Sequence, residues 1–145
     1  MQETNISINE IIMYLRKSRS DDPYMTVEKV LARHERQLQD YALSSFGSII
    51  PEERIFREVV SGETIADRPV MQSVMKYLES GQIKGVLVIE PQRLSRGDLE
   101  DCGRIINAFR YTNTLVLTPP KTYDLSDEYD RKFFEMELTR GCLLY

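Results

Sequence analysis

Ser18 and Arg16 lie two residues apart in the stretch IIMYLRKS (11–18), an apolar run that turns polar at its end. In an extended strand alternate residues share a face, so Tyr14, Arg16 and Ser18 point the same way. A serine oxygen can attack phosphorus while a neighbouring guanidinium holds the non-bridging oxygens with forked hydrogen bonds. Two further segments carry the same residue type. In EPQRLSRGD (90–98), Arg93 and Arg96 are three apart, so one helical turn sets both on a common side. In VVSGETIADRP (59–69), Ser61–Gly62 marks a sharp loop and Arg68 stands beside Pro69. Taken singly, each has an ordinary structural explanation: a loop serine, a solvated pair of arginines, a helix start. Asp98 and Asp101 read as helix-start residues in the same spirit.

The elements that must position these groups alternate between strand and helix. IIMYLRKS is a first strand, and a helix runs from about Val27 to Phe46 with Val27, Val30, Leu31, His34, Leu38, Tyr41 and Ala42 near helical spacing. Gly47 closes it. Arg54–Val60 is a second strand, and Pro69 opens a helix to about Leu78, ended by Gly81. GVLVIE (85–90) is nearly continuous in apolar residues, as a central parallel strand would be. A helix from about Gly97 to Arg110, a strand TLVLT (114–118) stopped by Pro119–Pro120, and a last helix from about Asp127 complete the chain. This order predicts a single α/β domain: a central, largely parallel β-sheet flanked by helices, ending in the start of a long C-terminal helix. In such sheets ligands bind at the carboxyl edge, where Ser18, Arg16, Arg93 and Arg96 would all fall and Arg68 could reach.

At 145 residues and 41% hydrophobic the chain fits one domain. We read 1–10 as a flexible leader and 11–145 as the domain proper. The ending RGCLLY looks like a helix stopped part-way, so we expect that more protein follows. The first residues lack the pattern of a signal peptide, and no apolar run approaches the roughly 20 residues needed to cross a bilayer. A cytoplasmic protein without a membrane partner is expected. Cys102 and Cys142 with the single histidine, His34, cannot assemble an ordinary zinc site, so neither metal nor cofactor is expected. The net charge of −4 argues against a domain that holds DNA mainly by itself, although local potential and net charge are different quantities.

YLRKS (14–18), SGETIADRP (61–69) and RLSR (93–96), in this order and spacing, resemble the catalytic motifs of serine site-specific recombinases. That family includes resolvases, invertases and the large integrases and transposases. The resemblance runs from about Ile11 to Arg140, and TVEKVLARHERQLQDYA is similar to the first-helix region of the large members. It implies the catalytic domain of such an enzyme, resolvase-like in fold and lacking the DNA-binding region. Ser18 matches the nucleophile, and Arg16, Arg68, Arg93 and Arg96 match phosphate-binding arginines. Tyr14 and Ser61 match supporting positions. The sequence departs at Gln92, where the family often has aspartate, and at His34, where a first-helix glutamine is common. The implied reaction is site-specific recombination of double-stranded DNA: Ser18 displaces a 3′ oxygen, the 5′ phosphate stays on serine, and dimers pair into a tetramer that exchanges ends. The resemblance also implies that the last helix forms the oligomer interface, and the apolar Tyr129, Phe133, Phe134, Met136 and Leu138 exceed what one face must bury. Three rivals stay open on the residues alone. They are a non-catalytic phosphate- or DNA-binding regulatory module, a serine hydrolase (which lacks a GxSxG here), and a metal-dependent nuclease using Asp98, Asp101 or the 124–130 acids.

Overall fold

The computed structural model describes residues 6–18, 27–60, 69–95 and 99–143, and of residues 17, 18, 27, 59, 60, 99 and 139–143 the backbone alone. The described strands are β1 (Ile11–Ser18), β2 (Ile55–Val60), β3 (Gly85–Leu87), β4 (Leu115–Leu117) and β5 (Thr122–Tyr123). The described α-helices are α1 (Val27–Phe46), α2 (Pro69–Ser80), α3 (Leu99–Tyr111) and α4 (Glu128–Leu143). They form one sheet in the order β2-β1-β3-β4-β5. The first four strands run parallel, and β5 pairs antiparallel with β4. The α/β, largely parallel architecture expected from the alternation is the one observed.

Strand parity sorts the side chains of β1 between two layers. Ile12 and Tyr14 pack with Met71, Val74 and Leu78 of α2, Ile105 and Phe109 of α3, and Phe134 and Leu138 of α4. Ile11, Met13 and Leu15 face the other way, against Leu31, Leu38 and Ala42 of α1. The sheet is therefore covered on both faces, by three helices on one and by α1 on the other. That is why β1 and β3 read as continuous apolar runs. Ahead of β1, Ser7 caps a 3-10 turn at Ile8–Glu10 with a reciprocal Ser7–Glu10 capping box. Arg54 donates to the carbonyls of Ile8 and Ile11, and Ile6 and Ile8 pack on the α1-side core. Residues 1–5 of the expected leader lie outside the described residues.

Two elements differ from the sequence expectation. GVLVIE stays in the sheet only through Leu87, although the Val88 amide still reaches the Leu117 carbonyl at 2.9 Å. Pro91 then begins a 3-10 turn, Pro91–Arg93, which takes the chain out over the sheet edge. The second difference is β5. Pro119–Pro120 stops β4 as expected, and it forms a tight reversal in which Thr118 and Lys121 exchange backbone hydrogen bonds of 3.0 and 3.2 Å before the chain pairs again. Two residues are too short a run to show a period. Gly47 and Gly81 end α1 and α2 with φ of +79° and +77°, the left-handed geometry that favours glycine. Among the described residues no helix is long and apolar enough to cross a membrane.

Polar groups fix how the helices meet the sheet. Glu58 of β2 is 3% exposed, and its carboxylate accepts from the Tyr14 hydroxyl at 2.6 Å and from the Val70 and Met71 amides at 2.8 and 3.2 Å. Those amides belong to the first turn of α2, which has no intrahelical acceptors for them. A buried carboxylate thus serves as the cap of α2 and ties it to β1. On the opposite face, Arg57 bridges Glu35 of α1 and Glu52. Hydrogen bonding to Glu52 raises the Arg57 pKa further and lowers that of Glu52. Near α4, Lys121 pairs with Asp130 at 3.0 Å and lies over the Tyr123 and Phe133 rings. Burial acts to raise the Asp130 pKa, but the Asp124 amide and Lys121 together outweigh it, and the net shift is downward.

Three substitutions have expected outcomes in urea denaturation. Glu58→Ala leaves a buried hydroxyl and two helix amides without their acceptor and lowers stability by about 3 kcal/mol, while Tyr14→Phe costs about 1.5 kcal/mol. Asp130→Asn costs about 1 kcal/mol at neutral pH. Because the folded-state pKa of Asp130 is depressed, its contribution is complete above the ordinary carboxylate range. It disappears as pH falls through the folded value, so the wild-type advantage should vanish in strong acid.

Candidate active site

β1 ends at Ser18, whose backbone is in register with Val60, the last residue of β2. The carboxyl ends of the two strands thus lie side by side, and the 3-10 turn Pro91–Arg93 leaves β3 at the same edge. Arg16 joins these pieces. It is 7% exposed, and its Nε and Nη2 donate to the carbonyls of Arg93 and Gln92 at 2.9 and 2.7 Å. Carbonyls at the end of a helical turn lack internal donors, and a guanidinium fork satisfies two at once. Arg93 returns the contact through a longer Nη1 bond of 3.4 Å to the Arg16 carbonyl.

The Arg93 side chain is itself held. Its Nε and Nη2 both approach Glu90 Oε2 at 3.1 Å, in an i,i+3 pair whose carboxylate is about half exposed. Gln92 reaches the other way, from its Nε2 to Glu137 Oε2 on α4 at 3.3 Å, and its buried Oε1 has no hydrogen-bond partner among the described residues. Glu137 also helps, after burial, to push the Tyr123 phenol above its ordinary pKa. Two arginines from segments 77 residues apart therefore interlock at one sheet edge, with carboxylates on either side.

Of the residues singled out in the sequence, Tyr14, Arg16, Gln92 and Arg93 come together here. Tyr14 is fully buried beneath the edge, bonded to Glu58. For Ser18 the backbone is placed and the side chain lies outside what is described. Ser61, Arg68 and Arg96 lie outside the described residues, as does Asp98. His34 is buried at 8% exposure on the stripe of α1 that carries Leu31 and Leu38, as its apolar-face spacing suggests. Asp101 falls in the first turn of α3, as expected, but it is buried and accepts from the Ser95 hydroxyl.

Three carboxylates that matter to this edge escaped the sequence reading. Glu58 carried a usable signal: an acid within the apolar strand IFREVV, on the parity of Phe56, must be buried and partnered. Glu90 and Glu137 carried none, since one ends an apolar run and the other is an ordinary acid on a charged helix. No group of three or more His, Cys, Asp or Glu able to hold a metal ion occurs among the described residues.

Comparison with known proteins agrees with the fold. Residues 11–138 match the family described as Resolvase, N terminal domain. The N-terminal catalytic domain of TP901-1 integrase superposes with a TM-score of 0.62 at 17% identity, over 92% of this chain and 95% of that one. The C-terminal catalytic domain of ISC1926 TnpA, an IS607-like serine recombinase, gives 0.59 at 20% identity, over 92% and 78%. A serine recombinase from Sulfolobus solfataricus gives 0.53 at 16% identity, over 85% and 74%. At these identities the structures speak to the fold, and the family match speaks to membership. With its matched span covering nearly the whole chain, this protein belongs to the resolvase N-terminal domain family.

Proposed function

We propose that this chain cuts and rejoins double-stranded DNA through a covalent phosphoserine at Ser18, as the catalytic domain of an integrase- or transposase-type serine recombinase. The observation that carries the proposal is the Arg16–Arg93 interlock at the sheet edge where β1 ends in Ser18. Ser18 Oγ attacks the scissile phosphorus, the new bond joins serine to the 5′ phosphate, and the bond to the 3′ oxygen breaks. The serine proton is lost and the departing 3′ oxygen gains one. One phosphodiester replaces another, so reversal by a 3′ hydroxyl needs no external energy source. Negative charge builds on the phosphoryl oxygens in the transition state. A well-placed arginine lowers the barrier by roughly 3 kcal/mol there.

In this reading Arg93 meets the phosphate directly, with the half-exposed Glu90 carboxylate as its partner when DNA is absent. Arg68 and Arg96 complete the cationic set, and one arginine supplies the leaving-group proton. Arg16 acts from beneath by fixing the turn that carries Arg93. Tyr14, Ser61, Gln92 and His34 support the site. The last helix is the surface for self-association into dimers and tetramers. Its Phe134 and Leu138 are buried in the domain, whereas Tyr129, Phe133 and Met136, spaced along α4, are exposed. A non-catalytic phosphate- or DNA-binding module is the second reading, favoured by the structural duty of Arg16.

The deciding experiment uses the complete protein and a nicked duplex of its own recombination site, which traps covalent intermediates. Wild type should form a serine–DNA adduct in excess chelator. Ser18→Ala should form none while binding the duplex with unchanged affinity. An adduct on Ser18→Ala would remove Ser18 as nucleophile, and the absence of any adduct on wild type would leave the binding module. Arg93→Ala should slow adduct formation by about a hundredfold or more. An unchanged rate would make Arg93 a surface residue.

A further inference from the structure

Arg93 sits between two anchors. Arg16 grips the carbonyls of Gln92 and Arg93 on one side. On the other, Leu94 is fully buried in the core shared with Cys102 and Ile105, and Ser95 is 2% exposed. The Ser95 hydroxyl donates to Asp101 Oδ2 at 3.0 Å and lies 3.4 Å from Cys102 Sγ. A hydroxyl has one proton to give, so with that proton committed to the carboxylate the thiol is the donor in the second contact. The result is a directed chain, Cys102 S–H to Ser95 O–H to Asp101, with all three side chains buried. Each bond polarises the next in a low-dielectric setting.

A capping acid at a helix start needs neither burial nor a partner from the preceding turn. Asp101 has both, and its partner lies two residues after Arg93 and immediately before Arg96 in the sequence. We infer that Asp101 is a positioning residue for the reaction: through the Ser95 hydroxyl it fixes the stretch Arg93–Ser95 against the first turn of α3, so that Arg93 meets the phosphate in a set orientation. The inference rests on the reading of Arg93 as a phosphate-binding group. Displacing a catalytic group by about an ångström costs up to a hundredfold in rate, so a buried side chain that never touches DNA can govern cleavage.

The test is single-turnover adduct formation by the complete protein on the nicked duplex, read beside duplex affinity and melting temperature. Asp101→Ala and Ser95→Ala should each slow the adduct on the order of ten- to a hundredfold with affinity nearly unchanged. The Ser95→Ala/Asp101→Ala double variant should be no slower than the slower single, because both remove one bond. Asp101→Asn keeps an acceptor for the hydroxyl and should react within about threefold of wild type. Val74→Ala, a cavity on α2 that removes none of these hydrogen bonds, should lower the melting temperature yet leave the rate unchanged. A rate for Asp101→Ala equal to that of Val74→Ala overturns the inference, and so do multiplicative losses in the double variant. Should Asp101→Ala fail to fold, Ser95→Ala decides, and a wild-type rate there is equally fatal. An unchanged rate in Arg93→Ala is a different failure, since it removes the assignment of Arg93 itself.

Discussion

A guanidinium buried between two strand ends is an expensive object unless its donors are matched, and at Arg16 they are matched by main-chain carbonyls. The rest of the site depends on that match. Carbonyls cannot titrate, swing away or be displaced by an incoming anion, so the 3-10 turn beyond β3 is held to β1 by a bond insensitive to what occupies the edge. Lysine could not reproduce it, because a single ammonium presents no fork to two acceptors held in fixed geometry. The Arg16 guanidinium is thus set in place by the fold itself.

The same device recurs with opposite sign. Glu58 places a buried carboxylate against helix amides and a phenol, and Asp101 places one against a serine hydroxyl. In each case a charge is used to orient a turn or helix start near the carboxyl edge, and the apolar layers around it raise the cost of any other arrangement. The net charge of −4 is therefore no guide to what any one acid does. Acids outnumber bases in the chain, and several of the acids work inside the domain or along its flanks as struts.

Strand–helix alternation was legible because long periodic segments announce themselves. IIMYLRKS and the twenty-residue α1 appear at their expected bounds, and α2 and α3 within two residues of theirs. What was illegible was short or nonlocal. β5 has two residues, and the length of β3 is decided by where Pro91 turns the chain rather than by the apolar run before it. At the site, residue types and spacing pointed to Arg16, Arg93 and Tyr14, which meet at or just beneath one edge. The division of labour was not readable: that Arg16 grips carbonyls, or that Gln92 reaches α4 through Glu137, depends on tertiary distances that no local pattern encodes. Asp101 illustrates the limit well, since a helix-start acid looks the same in sequence whether it faces water or a buried hydroxyl.

The sheet's two margins are built differently from its middle. One ends on a strand of only two residues folded back by a proline pair, so few unpaired amides and carbonyls are left there to template a neighbour. The other, β2, carries Arg57 clasped between two glutamates, a charged guard. Proteins that leave long flat margins bare risk zipping into fibrils when copies are crowded together. A two-residue strand on one margin and a charged guard on the other both make strand-to-strand pairing between copies of this domain less favourable.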